Sequence, residues 1–162
     1  MRQFLFLQGP HGPFFANLAQ SLVKAGAGVR RVLFNRGDRA FWPSHLTHQW
    51  YRESQADWPA AFDEIRRSHS ITDLVLYGDT RPHHAEALAS ATAAGLRTHV
   101  FEEGYLRPWW VTYERGGANG NSRLMDLPLE TILEETERDG HGRLESPEGW
   151  GALSRHMTYG AL

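Results

Sequence analysis

The stretch Phe4-Leu5-Phe6-Leu7-Gln8-Gly9-Pro10-His11-Gly12-Pro13 decides the fold. A short apolar run with no polar interruption suits a strand buried on both faces, and the alternating glycines and prolines after it demand a tight turn. Phe14, Leu18, Leu22 and Ala25 then recur at helical spacing until Gly26 and Gly28 end the pattern, which predicts a helix over 14–25. Val29 to Phe34 reads as a second strand. Strand, helix and strand within about thirty residues form a βαβ unit, whose right-handed crossover makes the two strands parallel.

Outward from this unit the alternation continues. Residues 35–58 lose the regular pattern but hold Phe41, Trp42, Trp50, Tyr51 and Trp58. They read as a long ordered excursion, because disordered segments are poor in aromatics. A helix is expected over 60–69, a strand over 73–77, a helix over 82–94 with Pro82 in its first turn and Gly95 at its exit, and a strand over 98–101. Strands alternating with helices predict an α/β fold, a Rossmann-like open parallel sheet with flanking helices. Beyond Arg107 a short strand over 110–113, a loop over 116–120 and an acidic amphipathic helix over 129–138 are expected, and the polar residues after Asp139 offer little to a core. The expected division is a Rossmann-like domain over 1–125 and a C-terminal helix and tail over 126–162.

Composition bounds the function. The chain has 162 residues, 41% hydrophobic and 22% charged, enough for one sizeable core. Seventeen Lys and Arg against nineteen Asp and Glu give a formal charge of −2, which argues against a nucleic acid partner. Without cysteine, a disulfide scaffold, a thiolate zinc site and a Cys nucleophile are all excluded. No export signal and no bilayer-spanning run is visible, so the expected location is cytoplasmic, with any membrane role peripheral, on the inner membrane.

In an open parallel sheet, ligands bind outside the carboxyl ends of the strands. Those ends run into Gln8-Gly9-Pro10-His11-Gly12, Asn35-Arg36-Gly37-Asp38, Gly78-Asp79-Thr80-Arg81 and Glu102-Glu103-Gly104-Tyr105. Parallel strands gather these distant segments on one edge. Turn residues also favour Gly, Asp and Asn for purely conformational reasons, but that preference does not predict two adjacent glutamates. The first loop places glycines before a helix whose free N–H groups suit an anion or a close-lying sugar, yet it lacks both the dinucleotide glycine spacing and a Walker lysine. Glu102 and Glu103 suit a general base on a rigid strand end, with burial and mutual repulsion available to raise a carboxyl pKa. The alternative is a solvated acidic turn paired with Arg107. His45-x-x-His48 and His83-His84 lack a carboxylate at a familiar metal-ligand spacing, so no metal is expected. Trp42 and Trp109-Trp110 lie beside the edge and are either core or a stacking surface for a sugar face or a lipid.

The segments Gln8-Gly9-Pro10-His11-Gly12-Pro13-Phe14-Phe15, Phe34-Asn35-Arg36-Gly37-Asp38, Phe41-Trp42 and Val100-Phe101-Glu102-Glu103-Gly104-Tyr105-Leu106-Arg107-Pro108 together resemble the bacterial capsule polysaccharide biosynthesis family. More narrowly, the chain is similar to capsule proteins that place β-linked Kdo on a lipid, over about Arg2 to Asn121. The resemblance implies metal-independent, inverting transfer of Kdo from the donor substrate CMP-Kdo to lyso-phosphatidylglycerol or a growing Kdo linker, on a two-domain GT-B fold with no cofactor. An acidic pair before glycine is similar to a motif of bacterial sialyltransferases in which a carboxylate is the base. Those enzymes bind the CMP phosphate through a His-Pro motif in their second domain, and this chain contains no His-Pro. The expectation is therefore an N-terminal, acceptor-side half, with the CMP-sugar held mainly by a second domain and with capsule assembly or export proteins as partners.

On that basis Glu103 is the expected base and Glu102 its neighbour. Gln8, Gly9, His11, Gly12, Asn35, Gly37, Asp38, Trp42, Asp79, Arg81, Gly104, Tyr105 and Arg107 are the expected substrate-binding set. The competing class is a non-catalytic lipid- or saccharide-binding subunit of capsule export.

Overall fold

The computed structural model describes residues 1–104 and 110–139. β1 (Gln3–Phe6), α1 (Phe14–Lys24) and β2 (Gly28–Leu33) form the expected βαβ unit, with β1 and β2 parallel. α2 (Arg36–Ala40), β3 (His48–Trp50), α3 (Trp58–Ser68), β4 (Asp73–Tyr77), α4 (Pro82–Ala93), β5 (Arg97–Glu103), β6 (Val111–Arg115) and α5 (Leu129–Asp139) follow. The six strands form one sheet in the order β3-β2-β1-β4-β5-β6. Strand order reverses between β1 and β4, which is the switch point where doubly wound sheets open a crevice.

Two features depart from the sequence reading. The stretch 35–58 is not an irregular excursion: it contains α2 and the edge strand β3, which pairs in parallel with β2. His48-Gln49-Trp50 has no apolar alternation because an edge strand of three residues buries little, so period-two patterning cannot mark it. The second departure is β6, which runs antiparallel to β5. The sheet is thus parallel except at this edge. The other elements lie within a few residues of their expected limits. The polar tail beyond Asp139 lies outside the described residues.

Both faces of the sheet are packed. On one, Leu5, Leu7, Val32, Leu74, Leu76 and Val100 meet Trp58, Phe62 and Ile65 of α3 and Ala87 and Ala91 of α4. On the other, Phe4, Phe6 and Val75 meet Phe15 and Ala19 of α1, with Trp42 and Leu46 closing the side. Double-sided burial is why the central strands read as continuous apolar runs.

Candidate functional site

At the carboxyl edge the chain turns inward at β1 and β4. The Gln8 carbonyl accepts the Tyr77 N–H at 3.3 Å, and the Phe101 carbonyl accepts the Gly78 N–H at 2.8 Å, so the ends of β1, β4 and β5 are laced together. Gly78 stands at φ +69°, a left-handed conformation that glycine adopts without strain. A β-carbon on Gly78 would lie 3.2 Å from Oε2 of Glu102, which places that carboxylate directly against the β4 turn.

Strand alternation sends Glu102 and Glu103 to opposite faces of β5. Glu102 shares its face with Val100, and its Oε1 accepts the Glu103 backbone N–H at 3.3 Å. Glu103 shares its face with Phe101 and stands opposite Val111 of β6. Both glutamates are partly exposed. The acidic pair therefore sits on a strand end, one carboxylate held toward the β4 turn and the other on the α1 side of the sheet.

His84, at the start of α4, is fully buried behind the same turn, and its Nδ1–H donates to the Gly78 carbonyl at 2.6 Å. Burial pushes its pKa down to about 4, so the ring is neutral at pH 7. Its Nε2 is buried with no hydrogen-bond partner. His83 instead packs against Phe34, Tyr51 and Trp58. His45 is exposed, and the Nδ1 of His48 lies 3.0 Å from the Leu46 carbonyl. No group of three metal-ligating side chains occurs among the described residues.

Several expected contact residues have other duties. Asp38 is buried, accepts the N–H groups of Phe34 at 2.9 Å and Asn35 at 3.2 Å, and pairs with buried Arg31 at 3.2 Å. Asn35 returns the bond by accepting the Asp38 N–H at 2.9 Å, completing a capping box at the start of α2. Asp38 is thus a structural carboxylate, which Gln8 approaches through Nε2 at 3.5 Å. Asp79 is likewise buried: its Oδ2 accepts the Ala118 N–H at 2.9 Å and the Asn121 side-chain amide at 3.1 Å, which pins the segment after β6 to the β4 turn.

Trp42 corrects the expectation of a stacking surface. It is 2% exposed, packs on Phe6, and lies under the Arg31 guanidinium, so it presents no face to a ligand. The glycines differ in the same way. A β-carbon on Gly9 would strike the Phe15 ring at 2.7 Å, and one on Gly104 would strike the Trp110 carbonyl, so the room at both belongs to the protein's own packing. Gly12 is buried at φ +106° and serves the turn into α1. His11, Asn35, Gly37 and Arg81 remain exposed along the edge. Tyr105, Arg107 and Trp109 lie outside the described residues.

Strand-end reasoning did not single out one further arrangement on the α1 side of the sheet. Asp73, at the opposite end of β4, is buried and is bonded by Arg2, Arg97, Thr72 and His99. Burial opposes its ionisation, but these donors together outweigh burial and hold its carboxyl far below the usual range. His99 Nε2 lies 2.9 Å from Asp73 Oδ1, and His99 Nδ1 lies 2.8 Å from the Tyr113 hydroxyl. No sequence motif announces this chain of contacts, because it needs the antiparallel register that aligns β6 with β5.

Comparison with known proteins bears on this edge. Residues 72–146 match the family described as capsule polysaccharide biosynthesis protein. The capsule polysaccharide export protein KpsS of Escherichia coli is 36% identical over 163 aligned positions, covering 92% of this chain and 42% of KpsS. The chain belongs to the capsule polysaccharide biosynthesis and export family. The capsule polysaccharide modification protein LipB of Neisseria meningitidis serogroup A is 38% identical over 121 positions, covering 74% of this chain and 29% of LipB. The chain thus spans less than half the length of these capsule relatives. Among solved structures, a UDP-GlcNAc 2-epimerase from Methanocaldococcus jannaschii aligns over 62% of this chain and 31% of its own, at 13% identity and a TM-score of 0.49. Among the described residues no helix is long and apolar enough to cross a membrane.

Proposed function

We propose that this chain supplies the acceptor-side half of an inverting capsule glycosyltransferase that moves Kdo from CMP-Kdo to a lipid acceptor, lyso-phosphatidylglycerol or a Kdo linker on it. The observation that carries the reading is the acidic pair at the end of β5 beside the switch point, in a chain of the capsule biosynthesis family. In this reading Glu103 takes the proton from the acceptor hydroxyl as its oxygen bonds to the anomeric carbon of Kdo. The bond from that carbon to the CMP phosphate oxygen breaks, and CMP leaves with the electron pair. Glu102 is a positioning residue, supported by its bond from the Glu103 N–H and its contact at Gly78. The donor is held mainly outside these 162 residues, and other capsule assembly proteins are its partners at the inner membrane.

The test is CMP-Kdo turnover by the complete protein on a lyso-phosphatidylglycerol acceptor, alongside calorimetry of this chain with CMP. Transfer by the complete protein and weak CMP binding by the chain are expected. No transfer by the complete protein overturns the reading, and micromolar CMP affinity of the chain alone overturns the division of labour. A second reading, a non-catalytic lipid- or saccharide-binding subunit of export, is favoured by the name of KpsS as an export protein. It expects acceptor binding with no turnover.

A further inference from the structure

The sheet ends in two unlike edge strands, β3 and β6. β3 is three residues long, and a short edge is a common protection against pairing with another chain. β6 reads Val111-Thr112-Tyr113-Glu114-Arg115. Valine, threonine and tyrosine favour strands, and the segment holds no proline, glycine or lysine to blunt it.

Register fixes which groups β6 turns outward. In an antiparallel pair, opposed residues alternate between those that exchange N–H···O=C bonds and those that do not. The Gly104 N–H donates to the Trp110 carbonyl at 2.8 Å, while the Phe101 carbonyl faces β4, where it accepts the Gly78 N–H. Thr112 and Glu114 therefore bond to Glu102 and Val100 of β5, and Val111, Tyr113 and Arg115 turn their N–H and C=O groups to the free edge. Among the described residues these outward groups have no backbone partner. The same three side chains stand on the α1 face, but α1 packs over β1 and β4 and leaves β6 open. Val111 and Tyr113 stay 42% and 48% exposed. Tyr113 is nonetheless fixed, because its hydroxyl lies 2.8 Å from His99 Nδ1 and His99 is held in turn by the buried Asp73. A pre-ordered edge loses little entropy when a partner strand pairs with it.

We propose that β6 pairs with β6 of a second copy of this chain, antiparallel and centred on Tyr113, so that two six-stranded sheets join across a two-fold axis. Centring on Tyr113 engages every outward group, about six N–H···O=C bonds in all, and a slip along the strand in either direction shortens the ladder. The side chains select this occupant. Tyr113 meets its own copy, an aromatic pair at the axis, while Val111 meets Arg115 and Thr112 meets Glu114, so no like charges are opposed. Arg115 also reaches diagonally to the Tyr113 ring of the second copy, a cation–π contact. A chain of another sequence would find only the backbone groups, whereas the two-fold match of side chains belongs to a second copy. One strand from each copy buries well under the roughly 800 Å² per partner of a stable interface, so the association is weak, with a Kd on the order of 10–100 µM. Nothing in the pairing depends on Kdo transfer.

Sedimentation equilibrium of the 162-residue chain from about 5 to 500 µM tests this, with a monomer–dimer equilibrium expected. Val111→Lys sets a cation against Arg115 of the second copy, twice by symmetry, and should weaken the dimer by about tenfold. Adding Arg115→Glu to Val111→Lys restores opposite charges across the axis and should recover most of that loss. Within one copy Val111 stands opposite Glu103, where a lysine is favourable, so a weaker dimer with undiminished Tm separates the edge from the fold. Amide exchange gives a readout that needs no variant. Between the same two concentrations Val111, Tyr113 and Arg115 should slow by about threefold or more, while Thr112 and Glu114, already bonded to β5, change little. The proposal is overturned if the wild-type chain is monomeric at about 500 µM, if folded Val111→Lys dimerises as wild type does, if Arg115→Glu recovers nothing, or if the alternating residues of β6 do not differ in exchange.

Discussion

Glu102 accepts the backbone N–H of Glu103 at 3.3 Å while the two side chains leave β5 on opposite faces. The pair is therefore not two equivalent carboxylates. One braces the strand end against Gly78, and the other stands at the end of the open β5–β6 face. If the proposed transfer reading holds, Glu103→Gln in the complete protein is expected to lower kcat for Kdo transfer by about 10²-fold or more, with donor affinity little changed, since losing a general base typically has that effect. Glu102→Gln should lower kcat less and reduce thermal stability more. If both variants keep kcat within about threefold of wild type, neither is the base.

Asp79 cannot stand in for that base without unfastening its neighbours. Its carboxylate gathers the Ala118 N–H and the Asn121 amide, joining the segment after β6 to the β4 turn. Asp79→Ala leaves a buried backbone N–H unpaired, so a loss of about 1–3 kcal/mol in urea unfolding is expected. Faster amide exchange should be concentrated at Ala118, where Asp79→Asn, which retains an acceptor oxygen, should stay close to wild type.

The first βαβ unit and the later strands could be read from sequence because burial on both faces leaves an unbroken apolar run, as at Phe4 to Leu7 and Leu74 to Tyr77. β3 could not, since His48 and Gln49 are only half-buried and Trp50 is exposed. α2 had a readable signal in Asn35 and Asp38, whose spacing matches a reciprocal cap, but in the strand-end reading the same two residues were expected to face a ligand. The site divides along the same line. Topology alone brings Gln8, Gly78 and Glu102 to one edge, and that much follows from predicting parallel strands. The engagement of Asp38 is local and follows from the Asn35–Asp38 spacing, whereas that of Asp79 depends on hydrogen bonds from Ala118 and Asn121 across 39 and 42 positions, which no local pattern encodes.

Glycine substitutions in the first loop separate folding from binding. Gly12 sits at φ +106° and Gly9 has the Phe15 ring where its β-carbon would be. Gly12→Val is expected to strain the backbone by about 1–3 kcal/mol. Gly9→Ala should instead displace Phe15 and loosen α1 from the sheet. Both should lower Tm, by roughly 2–4 °C for each kcal/mol lost in a domain of this size. A Gly12→Val chain with wild-type Tm would show that the turn tolerates a side chain and that the glycine is there for a ligand.

Acid sensitivity should pass through His84. Its imidazole is buried against the Gly78 carbonyl with a pKa lowered by burial to about 4, against an ordinary value of 6.5. Above pH 6.5 the ring is neutral in folded and unfolded chains alike, so it contributes no pH dependence there. As pH falls from 6.5 toward 4 the unfolded chain takes up the proton while the folded chain resists it, and stability declines across that window. The full difference corresponds to at most about 3 kcal/mol. His84→Gln retains a side-chain N–H for the Gly78 carbonyl but cannot titrate. Urea unfolding at pH 7 and pH 4.5 should therefore show a smaller loss of stability on acidification for His84→Gln than for wild type. Equal losses in the two proteins would mean that His84 does not govern this limb, leaving the other histidines that burial holds below their ordinary value, His69, His83 and His99, as its source.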